Sequence, residues 1–294
     1  MFSALTQRGA TITLDALDAG ANDYVTKPLN ARNRQESVAQ IRRDLVPRIK
    51  ALCARKQRLS GPPRRNARRP IAAGARIRDK VDVVAIGIST GGPSALAKLM
   101  PKLPRDLAVP IVLVQHMPPI FTASLATRLN DISPVAVAEA KDGDILRPGN
   151  AYLAAGGRHM VLQKTGTLVG IETNMEPPER GCRPAVDVLF RSVASIFGAG
   201  TLGVIMTGMG QDGLIGCEHI CAAGGQIIVQ DESSSVVWGM PGAVAKAGFA
   251  EEVLPLNQIG LEIARRVRRN RNTSPSKRPR KLSAGSRPEH RVHM

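Results

Sequence analysis

The chain has 294 residues, 43% of them hydrophobic and 3% aromatic, with a formal net charge of +17. That length accommodates one large α/β domain and a smaller piece, while the scarcity of aromatics argues against stacking on bases or sugars as its main business. No run of about 18 apolar residues occurs, so no segment is expected to span a membrane.

In chain order, residues 1–5 read as the end of a strand and residues 11–19 as a helix closed by Gly20. Residues 23–26 form a short strand stopped at Lys27-Pro28, and residues 34–54 a basic helix with Val38, Ile41, Val46 and Leu52 on one stripe. Residues 55–80, with Gly61-Pro62-Pro63-Arg64-Arg65, have the composition of an extended linker. From Val81 onward, apolar strands alternate with helical stretches, which is the signature of a doubly wound, mostly parallel α/β sheet. The strands are expected at 81–87, 110–115, 203–207 and 225–230. The helices are expected at 93–100, 122–130, 184–196, 213–222, 241–247 and 256–267. Between residues 151 and 171 the period shortens around glycine turns, predicting a small β-hairpin insertion. Beyond Arg268 little remains to bury, and a disordered basic tail is expected over 269–294. The divisions are therefore 1–43, 44–80, 81–268 and 269–294.

Charge follows the same divisions. Residues 81–255 carry 12 basic against 16 acidic side chains, so the excess of positive charge lies on the two flanks. Basic flanks attract nucleic acid or acidic surfaces, but without interleaved aromatics or a recognition module they read as solvated linker and tail. The four cysteines form no CxxC motif, and residues 1–5 lack the basic and apolar regions of a secretory leader. A reducing, cytoplasmic location is the simple expectation.

Gly87-Ile88-Ser89-Thr90-Gly91 follows an apolar strand and precedes a helix opened by Pro93. A serine at such a turn is pushed out of the chain path, beside the free amides of a helix N-terminus, where a developing oxyanion can be held. A phosphate-binding or purely structural glycine turn has the same local pattern, although no GxxxxGK[ST] loop is present. Among five histidines, His116 alone follows a buried strand, on the edge that would also carry Ser89 if the strands are parallel. Asp212 lies in the glycine-rich loop Thr207-Gly208-Met209-Gly210-Gln211-Asp212-Gly213 after another apolar strand. It could orient an imidazole, or simply cap the next helix. The order Ser, His, Asp differs from the Ser, Asp, His of α/β-hydrolases. A hydrolase of small esters or amides and a basic, non-enzymatic adaptor remain alternatives at this point.

Four blocks narrow the choice: Ala85–Pro93, Gln115–Thr122, Arg183–Phe190 and Thr207–Gly213. Together and in this order they resemble the signature of the chemotaxis protein-glutamate methylesterases, the CheB family. The resemblance implies a serine esterase that removes methyl groups from glutamate γ-methyl esters of chemoreceptors, releases methanol, deamidates receptor glutamines and needs no cofactor or metal. It places the family's catalytic serine, histidine and aspartate on Ser89, His116 and Asp212, and its oxyanion donors near Thr90 and Met209. The histidine that often precedes Arg-Pro in the family is replaced here by Cys182. Residues 1–28 resemble the last third of a response-regulator receiver, with Ser3 and Lys27-Pro28 at matching places and no phospho-acceptor assignable. A chemotaxis histidine kinase would be a partner only if a full receiver lies upstream. About 40 residues cannot rebuild a receiver core, so residues 1–43 are expected to be poorly packed and the site uncovered and constitutively active.

Overall fold

A computed structural model describes residues 1–3, 6–28, 34–59 and 80–272, without the side chains of 54–59 and 269–272. The linker from residue 60 to 79 and the tail from 273 lie outside the described residues. The elements are β1 (Phe2–Ser3), α1 (Gln7–Asp18), β2 (Val25–Thr26), α2 (Arg34–Leu59), β3 (Val83–Ile88), α3 (Gly92–Leu99) and β4 (Ile111–Gln115). They continue with α4 (Phe121–Ile132), β5 (Ala136–Glu139), β6 (Asn150–Leu153), β7 (His159–Thr165), β8 (Leu168–Asn174) and α5 (Val186–Phe197). The chain then forms β9 (Thr201–Ile205), α6 (Leu214–Ala222), β10 (Gln226–Gln230), α7 (Met240–Ala247), β11 (Glu252–Leu254) and α8 (Leu256–Asn272). No described helix is long and apolar enough to cross a membrane.

Seven strands form one parallel sheet in the order β11-β10-β9-β3-β4-β6-β5. The central strands are buried on both faces, which is why they read as continuous apolar runs. Along β3 the side chains alternate between two cores. Val84, Ile86 and Ile88 join residues of α3, α4 and α8, whereas Val83 and Ala85 join residues of α5, α6 and α7. The chain leaves β3 toward β4 and later returns beside β3 as β9, so its direction of winding reverses there. In open α/β sheets that reversal opens a crevice at the strand carboxyl ends.

Two strand expectations change. Residues 151–154 do not belong to the hairpin; Ala151, Tyr152 and Leu153 lie in β6, parallel to β4 in the main sheet. Only β7 and β8 make the antiparallel hairpin. Edge strands β5 and β11, too short to stand out from their flanks, complete the sheet. At the other end of the chain α8 runs four residues past Arg268. The buried guanidinium of Arg266 fastens it to the sheet edge through Glu251 (2.7 Å), Glu252 (2.8 Å) and Gln226 (2.6 Å).

The N-terminal residues also depart from expectation, because they are packed. β1 and β2 pair in parallel around α1, whose N-terminus is capped by the Thr6 hydroxyl. Ala10, Leu14 and Leu17 are buried, and they join the same core as α3 and α4. The segment has no core of its own; it borrows a face of the large domain. Arg128 of α4 clamps α1 from outside, pairing with Asp15 at 2.6 Å and with Asp18. Tyr24 stacks on Phe121 with ring centroids 4.9 Å apart. Helix α2 runs unbroken across residues 43 and 44.

Leu14 is the more buried of the two leucines that α1 sends into this core. Leu14→Ala should cost about 2–5 kcal/mol of docking. The expected result is faster amide hydrogen exchange across α1, with β3 and β4 unchanged; equal protection of α1 in the variant would contradict the borrowed core.

Candidate active site

Ser89 and His116 occupy equivalent places on adjacent strands. Ile88 and Gln115 are the last residues in register between β3 and β4, and the His116 amide donates to the Ile88 carbonyl at 3.2 Å. On the other flank of β3, the Ser89 amide donates to the Thr207 carbonyl at 3.0 Å, just beyond β9. Three neighbouring strands thus deliver the serine turn, the histidine and the glycine-rich loop to one edge.

The loop after β9 comes close because it is glycine. A Cβ on Gly208 would lie 2.8 Å from Ser89 Cβ and 2.3 Å from Met240 Sδ. Only hydrogen fits between this backbone and the serine. Beyond the turn, Gly91 has φ +78° and caps α3, a left-handed conformation that favours glycine.

His116 Nε2 lies 2.7 Å from Asp212 Oδ2. Asp212 is buried, and its carboxylate is fully engaged. Oδ2 also accepts from the Val186 amide at 2.7 Å, and Oδ1 from the Asp187 amide at 2.9 Å, the first two N–H groups of α5. A helix N-terminus favours a negative charge. Burial pushes the Asp212 carboxyl upward, but the His116 hydrogen bond and charge and the two amides outweigh it and hold it below its usual range. The ionised carboxylate can only accept, so Nε2 carries the hydrogen and Nδ1 is the ring nitrogen left for chemistry. Burial alone would lower the imidazole pKa; Asp212, followed by Cys182, overrides it and raises His116 to about 9.

Nδ1 faces the Cys182 sulfur at 3.6 Å. Cys182, at the position where the family often has histidine, is therefore a neighbour of the imidazole. Beneath it Asp187 is buried and accepts from Arg180 Nε at 3.0 Å and from the Gly216 amide at 2.7 Å. Burial, together with the nearby Asp212 charge, raises its pKa despite those donors.

Ser89, Thr90 and His116 line one pocket. Met209 follows Gly208 beside Ser89 but is not among the residues lining that pocket. Sequence reasoning missed two glutamines that brace the loops. Gln115 Nε2 donates to the Ser89 carbonyl at 3.0 Å and to the His116 carbonyl at 3.2 Å. Gln230 Oε1 accepts from the Thr207 amide at 2.9 Å. Their signal was available, since each is an amide ending a buried strand with an apolar centre. N-terminal residues line the same pocket: Tyr24, Val25 and Thr26, with Arg48 bound to Asp23 at 2.7 Å. The other two described histidines play different parts. His159 is buried, bridging the Ala185 amide and the Pro177 carbonyl, and His219 is exposed on α6.

A doubly wound parallel sheet with a serine turn at its winding reversal, beside a carboxylate-bound histidine, places a polar site where open α/β proteins hold their ligands. Comparison with known proteins makes this specific. Residues 84–263 match the family described as CheB methylesterase, and the chain belongs to that family. It is 51% identical over 271 residues to a protein-glutamate methylesterase/protein-glutamine glutaminase of Trichodesmium erythraeum, covering 91% of this chain and 77% of that protein. A protein of the same name from a Nocardioides species is 46% identical, covering 92% of this chain and 75% of that protein. The crystal structure of the Thermotoga maritima CheB methylesterase catalytic domain superposes with a TM-score of 0.62 at 40% identity, covering 63% of this chain and 98% of that one.

The ion pair between Asp212 and His116 stabilises the fold while the imidazole is charged. That contribution is complete below about pH 6.5 and is lost as pH rises through about 9. The His116 ring should titrate near pH 9 by NMR, and Asp212→Asn should bring the value down; a wild-type midpoint at or below 6.5 would contradict the pairing.

Proposed function

We propose that this chain is a protein-glutamate methylesterase and protein-glutamine glutaminase, acting in the cytoplasm on methyl-accepting chemoreceptors during chemotactic adaptation. Ser89 is the nucleophile, His116 the base and Asp212 its orienting carboxylate. The observation that carries this assignment is the 2.7 Å contact between His116 and Asp212 at the strand end adjoining Ser89.

The chemistry follows from the atoms available. His116 Nδ1 takes the Ser89 proton as Oγ attacks the γ-ester carbonyl of a methylated glutamate. Backbone amides at Thr90 and Met209 receive the oxyanion as the carbonyl becomes tetrahedral. Asp212, held ionised by α5, stabilises the imidazolium and keeps its ring oriented. The imidazolium returns its proton to the methoxide oxygen, methanol leaves, and a glutamyl ester remains on Ser89. Water, deprotonated by Nδ1, attacks that ester and frees glutamate and serine. With a glutamine substrate, ammonia leaves in place of methanol. Because the base works only when neutral, an imidazole raised to about 9 supplies more working enzyme as pH climbs.

Residues 1–43 are read as a receiver remnant whose β2 end restricts entry to the pocket. The site is read as partly covered, since Tyr24, Val25 and Thr26 line the same pocket as Ser89. A chemotaxis histidine kinase is a partner only of a complete receiver.

Ser89→Ala should lower methanol release from methylated receptor by about 10⁴-fold or more while leaving the circular dichroism spectrum unchanged. Turnover at the wild-type level would remove Ser89 from the mechanism. Arg128→Ala, far from the chemistry, loosens the clamp on α1. It should raise turnover about two- to fivefold, the range an exposed pair worth up to about 1 kcal/mol can shift. An unchanged rate would show that the N-terminal segment does not gate the site.

A further inference from the structure

Cys182 has no part in the ester chemistry, yet its sulfur points at the one imidazole nitrogen the chemistry needs. The separation is informative. A tetrahedral zinc ion with Zn–S of about 2.3 Å and Zn–N of about 2.05 Å places its sulfur and nitrogen ligands about 3.6 Å apart. Cys182 Sγ and His116 Nδ1 are 3.6 Å apart. The opposite ring nitrogen is also prepared. Histidines that bind metals almost always donate their other N–H to a carboxylate or carbonyl, and here Nε2 donates to Asp212 Oδ2 at 2.7 Å. The ligating atoms of Cys182, His116 and Asp212 lie within 4.8 Å of one another. Asp212 itself is saturated by Val186 and Asp187, so it acts as support for the ring. Cys182 and His116 are neither sealed from water, which can complete the coordination.

We propose that Cys182 and His116 Nδ1 form a binding site for a thiophilic divalent cation of the zinc type, and that its occupation inhibits the enzyme. On binding, the Cys182 thiol releases its proton to solvent and the thiolate and the Nδ1 lone pair each bond the ion, with no change of oxidation state. Inhibition follows because the metal takes the lone pair that would receive the Ser89 proton; this part rests on the assignment of His116 as the base. The ion is a regulator and not a participant, since the ester reaction needs none. No second cysteine offers this geometry: Cys53 is exposed, Cys217 is buried and Cys221 contacts the Phe249 carbonyl.

The full chain would be titrated with cobalt(II) as a coloured probe and with zinc chloride in the methanol-release assay. One equivalent of cobalt should produce a sulfur-to-metal charge-transfer absorption, and zinc should suppress turnover reversibly on addition of a chelator. Cys182→Ala should weaken metal binding by roughly 100-fold and abolish the absorption, whereas Cys53→Ala should change neither. A wild-type protein without the absorption, or a Cys182→Ala variant that keeps it, would overturn the site. If the absorption depends on Cys182 but zinc leaves turnover intact, the metal site stands and the assignment of Nδ1 as the base falls.

Discussion

The Asp212 carboxylate is the constraint on which the rest of the site depends. It is buried, and a buried charge persists only where it is fully bonded. The structure meets that demand with two amides from the start of α5 and the imidazole of His116. Each partner has a structural consequence. The amides require α5 to begin beside the loop after β9, which Gly213 makes possible by its close approach to Val186. The imidazole requires β4 to end level with β3, which the parallel register provides. One charge thereby ties three strand ends and a helix on the opposite side of the sheet into a single geometry.

The polar residues that brace this arrangement sit at the ends of buried strands. Gln115 and Gln230 end β4 and β10, the strands that flank β3 and β9 in the one sheet, and spend their amides on loop backbone on either side of Ser89 and Thr207. Thr207 donates its hydroxyl to the Thr90 carbonyl at 2.9 Å, fastening the serine turn to the loop after β9. A serine turn held by backbone contacts on both sides needs little reorganisation, the condition under which preorganised sites act.

Much of this was legible in the sequence because the central strands are buried on both faces. Apolar runs such as Ile111–Gln115 cannot hide, and the turn, histidine and loop that follow them inherit their placement. The edge strands β5 and β11 were illegible for the converse reason: they are short and partly exposed, so no run marks them. Residues 151–154 were assigned to the hairpin because short strands with glycine turns look alike until their partners are known. Parallel pairing with β4 across an intervening helix is a tertiary fact. The N-terminal segment was misjudged on a correct premise. It cannot make a core alone, but Leu14 and Leu17 fit a face that α3 and α4 already present. Cys182 was visible as a departure from the family pattern, while its position on His116 Nδ1 required the fold.

That shared face limits how the molecule can be taken apart. Tyr24 covers Phe121, and α1 covers the apolar side of α3 and α4. A catalytic piece released from its N-terminal residues would carry this surface into water, where contiguous apolar patches favour self-association.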